Sequence, residues 1–163
     1  MIFSTERLLV RKLRATDFPP FHEMQSNPNV MQHIIGRAHT EAENETQLKG
    51  VIDAYAKPNN NFWVWAILRK EDSAMVGTCA IIKTEGEDEI GYRFLEKYWG
   101  NGYGLEITTG LINHALDTMK VPSLMAVVDK RNIASVKILE RSKLKFIKEF
   151  VNEEGITDRL YRF

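Results

Sequence analysis

Residues 98–104 read YWGNGYG, between the strand-like run DEIGYRFL (88–95) and the helix-like run LEITTGLINHALDTM (105–119). A strand-to-helix reversal usually needs one residue at positive φ and one N-cap, so glycines at 100, 102 and 104 exceed what a turn requires. Small residues at alternate positions let a ligand lie against the backbone. There the unpaired N–H groups of a helix's first turn attract an anion such as a phosphate. The competing reading is a merely flexible loop, because glycine clusters also mark turns.

Working outward from the loop, NFWVWAILRK, SAMVGTCAIIK and EDEIGYRFLE read as three strands joined by the turn-prone EDS and EGED, a meander that delivers residues 88–95 into the glycines. After the loop, positions 105, 108, 111, 112, 115, 116 and 119 recur at helical spacing, all apolar except Thr108. SLMAVVD (123–129) is a continuous apolar run, hence a buried strand, and NIASVKILERS (132–142) is a helix that Asn132 can cap. The tail pairs KFIKEFV with TDRLYRF around NEEG. At the other end RLLVRKL (7–13) is a strand with Leu8 and Val10 on one face, Asp17 can cap a short helix over FPPFHEMQSN, and residues 41–56 form a second helix stopped by Pro58. NVMQHIIGRAHT has no clear period. The element order is therefore β-α-α-β-β-β-α-β-α-β-β, an α/β (α+β) chain of about seven strands.

At 163 residues the chain suits one domain, 1–163, with a single core. No apolar run approaches the ~20 residues of a membrane span, and the first residues lack a signal-peptide pattern, so no membrane partner and a cytoplasmic location are expected. Cys79, the only cysteine, lies in an apolar run and reads as a buried thiol. Lys+Arg and Asp+Glu are both 22, so no global field draws nucleic acid, and RKLR (11–14) and the basic stretch at 137–148 read as solvated faces. His22, His33, His39 and His114 form no ligand set with Cys79, so no metal is assigned. Trp63 and Trp65 share a strand face, as core or as pocket wall.

The loop is not a Walker A motif, because Leu105 and Glu106 stand where Lys and Ser/Thr are required. Nor is it a dinucleotide fingerprint: residue 105 is Leu, and no acidic residue lies near 123–126. What stands here is a G-x-G-x-G opening a long amphipathic helix after a meander. With TERLLVRKLRATDF, FWVWAILRKEDSAMVGTCAI, EIGYRFLEKYWGNGYGLE and DKRNIASVKILER in that order, the chain resembles the GNAT (Gcn5-related N-acetyltransferase) superfamily over nearly its whole length, and within it the RimJ/RimL-like branch. Trp99 occupies the position usually held by Arg or Gln, a substitution common in that branch.

The resemblance implies a mixed, mostly antiparallel sheet flanked by helices, and acetyl-CoA as acyl donor without a metal. Backbone N–H groups of Gly100, Asn101, Gly102, Tyr103 and Gly104 would hold the pyrophosphate, and the strand end near Phe94 and Leu95 would pair with the pantetheine amides as an added strand. Gly91 marks either a bulge or a packing contact. Asn132 and Ser135 would face the pantetheine arm, or else serve only as cap and solvated hydroxyl. The implied partner is an amine, either a protein N-terminal α-amine or a small molecule, acetylated by direct attack in a ternary complex. An α-amine with pKa near ~8 is about a tenth neutral at pH 7, so it demands less of a base than lysine does. Glu89 is the candidate base, directly or through water, or else an exposed strand carboxylate. A backbone N–H near Phe94 or Leu95 is the candidate oxyanion donor. The family's acid is often a tyrosine in the helix after the Asn, but Leu139 stands there, leaving Tyr161 and Tyr103, of which Tyr161 is preferred. That missing tyrosine keeps open a catalytically weak acyl-CoA binding or sensing module. Lys143 replaces an expected helix-terminal glycine, at a cost on the order of 1 kcal/mol if it takes the left-handed conformation, or else the helix ends differently. A monomer or a homodimer is expected.

Overall fold

The computed structural model describes residues 1–163. Its strands are β1 (Phe3–Ser4), β2 (Leu8–Lys12), β3 (Phe62–Arg69), β4 (Met75–Thr84), β5 (Glu87–Phe94), β6 (Leu124–Asp129), β7 (Lys145–Val151) and β8 (Thr157–Arg162). Helices are α1 (Phe18–Gln25), α2 (Pro28–Met31), α3 (Glu41–Ala54), α4 (Tyr103–Asn113) and α5 (Ile133–Glu140). The strands form one sheet in the order β1-β2-β3-β4-β5-β6-β8-β7. Every neighbouring pair is antiparallel except β5 with β6. The expected class holds, with eight strands in place of seven; the addition, β1, is two residues long and pairs Phe3 with Val10. No helix is long and apolar enough to cross a membrane.

Strand alternation sends side chains to two separate cores. Trp65, Ile67, Cys79, Ile81 and Ile90 pack with Ile107, Leu111 and Ile112 of α4, while Ala66 and Met75 on the opposite face pack with Phe21 of α1 and Leu48 and Val51 of α3. Cys79 is buried as expected, and burial pushes its thiol pKa well up, which keeps it unreactive.

One local expectation is revised and two open points are settled. Asp17 makes no capping bond to α1; its carboxylate accepts from Arg11 (2.8 Å to each oxygen) and from the Arg14 N–H (2.8 Å), tying β2 to the turn before α1. The aperiodic segment holds α2, capped by Asn27, whose Oδ1 accepts from the Asn29 N–H at 2.9 Å. Lys143 is not among the residues at positive φ. Instead the Ser142 hydroxyl donates to the Leu139 carbonyl (2.7 Å) and accepts from the Leu144 N–H (3.1 Å), ending α5 without a glycine.

The feature that positions the site is the β5–β6 seam. Only Asp88↔Leu124 and Glu89↔Met125 are paired, so from Ile90 onward the two strands diverge and leave a gap in the sheet.

Candidate active site

β5 pairs with β4 without a register shift from Thr84↔Glu87 to Gly77↔Phe94, so its departure from β6 is a splay and not a bulge. Gly91 is therefore no bulge residue, and a Cβ built on it would meet nothing within 4 Å. The tight approach lies across the ladder at Gly77, where a Cβ would come within 2.1 Å of the Arg93 carbonyl oxygen. The Leu95 N–H donates to the Val76 carbonyl (3.0 Å). Odd-numbered residues thus turn their backbone groups to β4, and Tyr92 and Phe94 turn theirs to the gap. The expectation for Phe94 and Leu95 narrows accordingly. The Leu95 N–H is taken, its carbonyl accepts from the Tyr98 N–H (2.9 Å), and the Phe94 carbonyl accepts from the Trp99 indole N–H (3.0 Å). The Phe94 N–H is the group left to face the gap.

Beyond the strand, Glu96–Tyr98 make one 3-10 turn and lead to the glycines. Gly100 (φ +76°) and Gly102 (φ +77°) both lie in the left-handed region, and Gly102 is the N-cap of α4. Gly104 serves another purpose: a Cβ there would sit 2.5 Å from Ile138 Cδ1, so its absence lets α5 close on α4. The N–H groups of residues 100 to 105 donate to no protein acceptor. Six consecutive free donors at the positive end of α4 suit an anion bound by backbone alone. Arg7 braces this loop: its guanidinium donates to Glu106 (2.7 Å) and to the Asn101 carbonyl (3.0 Å), and stacks over the Tyr103 ring at 4.7 Å. Glu106 also accepts from the Thr5 hydroxyl at 2.5 Å and the Arg7 N–H at 2.8 Å. Burial opposes the charge, yet these donors hold its carboxyl below the usual range.

On the far side of the gap, Asn132 Oδ1 accepts from the Ser135 N–H (3.2 Å), the expected cap of α5. The Ser135 hydroxyl accepts from Tyr92 at 3.3 Å. Tyr92 escaped sequence reasoning because this contact spans 43 residues. Burial raises its pKa, so it stays a phenol at neutral pH.

On the α1/α3 face, a cavity of about 300 Å³ opens between α1, α3 and strands β3 to β5. Glu89, Gly91 and Arg93 line it from one side of β5, and Ile90 and Tyr92 reach it at the gap. Burial pushes the Glu89 carboxyl above its ordinary value. Tyr161 is not brought to Glu89. It pairs with Ala126, enters the α4-side core at 1% exposure and has no hydrogen-bond partner, whereas Glu89 faces the cavity on the other side of the sheet. Tyr103 is likewise buried, beneath Arg7. Among the histidines, His33 joins Asp129 (3.1 Å) at the end of β6, His22 and His39 join Asn44, and His114 packs against Phe3 and Trp65. No group of three or more His, Cys, Asp or Glu side chains is placed to hold a metal ion.

The splayed parallel seam beside a backbone anion site fits what the resemblance implies, and the family comparison agrees. The model of the "Acetyltransferase (GNAT) domain" matches residues 7–145. The chain belongs to the GNAT acetyltransferase family. Among relatives of this GNAT, the uncharacterized N-acetyltransferase p20 of Bacillus licheniformis is 28% identical over 150 residues, covering 89% of this chain and 82% of that one. A GNAT-family acetyltransferase from Bacillus anthracis superposes with a TM-score of 0.86 at 22% identity, over 98% of this chain and 96% of that one. RimL, a ribosomal α-N-protein acetyltransferase solved in complex with coenzyme A, superposes with a TM-score of 0.83 at 16% identity, over 99% and 96% of the two chains. At these identities the structural likenesses establish the fold.

Proposed function

We propose that this GNAT transfers an acetyl group from acetyl-CoA to a primary amine in a ternary complex. The observation that carries the reading is the run of six unpaired N–H groups, residues 100 to 105, immediately beyond a strand whose edge is free toward β6. These donors fit a pyrophosphate, and the gap fits an extended pantetheine arm lying along β5 as an added strand. That RimL was solved with coenzyme A supports the same reading.

Residue roles follow from position. The backbone of Gly100, Asn101, Gly102, Tyr103 and Gly104 holds the diphosphate, with Arg7 fixing the loop. Asn132, through its cap, sets the start of α5 and with it the Ser135 hydroxyl on the pantetheine side. The donor, when bound, supplies an activated thioester. Glu89, its affinity for a proton raised by burial, accepts one from the acceptor ammonium directly or through water. The amine nitrogen then forms the N–C bond, the C–S bond breaks, and the Phe94 N–H is directed to the oxyanion. Tyr92, held by Ser135 and kept neutral by burial, takes the acid role expected of Tyr161 and protonates the departing sulfur; the second nitrogen proton then passes to the Tyr92 oxygen, and Glu89 releases its proton to solvent. One ammonium and one acetyl thioester give one acetamide, one free thiol and one proton.

Thiol release from acetyl-CoA across a panel of amino acids, polyamines and N-terminal peptides tests this reading. Turnover with at least one acceptor is expected, and acetyl-CoA binding without turnover across the whole panel would overturn it.

A further inference from the structure

Five arginines are half-buried, and four pair with a carboxylate: Arg11 with Asp17, Arg69 with Asp72, Arg159 with Glu149 and Arg162 with Glu87. Arg93 does not. Its one protein hydrogen bond goes from Nη1 to the side-chain oxygen of Gln25, a neutral acceptor. A guanidinium has five N–H donors, and with one taken by Gln25 the others are left without a protein acceptor beside the cavity that Arg93 lines.

The surroundings are built to keep that partner neutral and fixed. The Gln25 amide nitrogen donates to Asn44 Oδ1 (2.9 Å) and to Gln47 Oε1 (2.7 Å), so its oxygen is committed to Arg93. Asn44, fully buried, is held in turn by His22 (2.8 Å) and His39 (3.2 Å). Glu89 is not the missing counter-charge. It lies four residues back on the same strand, roughly 13 Å away at the usual rise per residue, and the two form no ion pair. Burial lowers the Arg93 pKa only to about 10, so it is charged at neutral pH.

Arg93, Gln25, Gln47 and Glu89 all line the one cavity of about 300 Å³, a volume suited to a small molecule. Gly91, between Glu89 and Arg93 on the same face, leaves the floor open.

We infer that the amine acceptor of this transferase is a small molecule that also carries a carboxylate, such as a free amino acid, with Arg93 binding the carboxylate and Glu89 facing the amine. The inference rests on the acetyltransferase reading for its amine half. Its carboxylate half rests on Arg93 alone.

The test uses matched acceptors, free amino acids and their amides, with spermidine and N-terminal peptides as further arms. By kcat/KM the acids should exceed their amides at least tenfold, as a charge-assisted bond to a buried group implies. Arg93→Gln should erase that preference by raising KM for the acids while leaving the amides and the affinity for CoA unchanged. Arg93→Lys, which keeps the charge without the planar fork, should retain part of it. Preference for amides or spermidine, or an equal loss for acids and amides in Arg93→Gln, would overturn the inference. Preference for peptides over free amino acids would overturn the small-molecule source. Calorimetric titration of the amino acids into CoA-saturated protein separates the two readings. Binding that Arg93→Gln abolishes, without turnover, upholds the carboxylate site and sinks only the transferase reading. No binding at millimolar ligand sinks the carboxylate site.

Discussion

At the scale of single residues, Glu89 has the clearest pH signature. Burial raises its pKa, so the folded state holds a proton that the unfolded chain has already released. Stability therefore falls as pH rises from the ordinary carboxylate value, about 4.3, toward the folded value, and the deficit persists at neutral pH. Glu89→Gln should melt no lower than wild type at pH 7, with the difference vanishing below about pH 4, while kcat/KM drops by roughly 10² to 10⁴. A variant that keeps full activity would remove Glu89 as base. Glu89 was legible as a candidate because it lies on the strand that runs into the glycine loop, two residues before Gly91. Its separation from Tyr161 was not legible. Alternation along a strand assigns faces only once the partner's register is known, and Tyr161↔Ala126 is a contact of the folded sheet.

At the scale of elements, the glycine loop and α4 can be probed by comparing two glycines in the same backbone conformation. Gly102 (φ +77°) caps α4 and Gly155 (φ +75°) turns the distal β7–β8 hairpin. A valine at either should cost on the order of 1–2 kcal/mol through left-handed strain. Only Gly102→Val should also lose CoA affinity by calorimetry, and an equal loss in Gly155→Val would mean that strain, not the cradle, sets binding. Helix packing gives a second comparison. Gly104→Ala pushes against Ile138 Cδ1 and should destabilise by about 1 kcal/mol in urea titration, and adding Ile138→Val, which lacks that methyl, should recover most of it. The meander, the long helix and the Asn132 cap were readable because each is written within a few consecutive residues. The brace from Arg7 to Glu106 joins positions 99 apart, and no local period announces it.

At the scale of the whole molecule, three carboxylates tie separate parts of the chain together. Asp17 binds β2 to the turn before α1, Glu106 binds the N-terminal arm to α4, and Asp129 receives His33 from beyond α2 at the end of β6. Asp129 is held down chiefly by Arg131; Asp17 and Glu106 are lowered by their donors against the opposing effect of burial. Depressed folded values contribute stability that is present above the ordinary carboxylate range and lost as pH falls through the folded values. The triple variant Asp17→Asn, Glu106→Gln, Asp129→Asn should therefore be less stable at pH 7 yet lose less on acidification, as measured by urea unfolding across pH. A parallel loss in both proteins would contradict the assignment. Another consequence concerns light. Trp65 is enclosed at 2% exposure and Trp63 is half-buried, whereas Trp99 stands 47% exposed with its indole N–H on the Phe94 carbonyl at the mouth of the gap. The long-wavelength edge of the protein's fluorescence thus originates beside the donor site, and emission collected at that red edge makes Trp99 a built-in optical gauge of occupancy that needs no label.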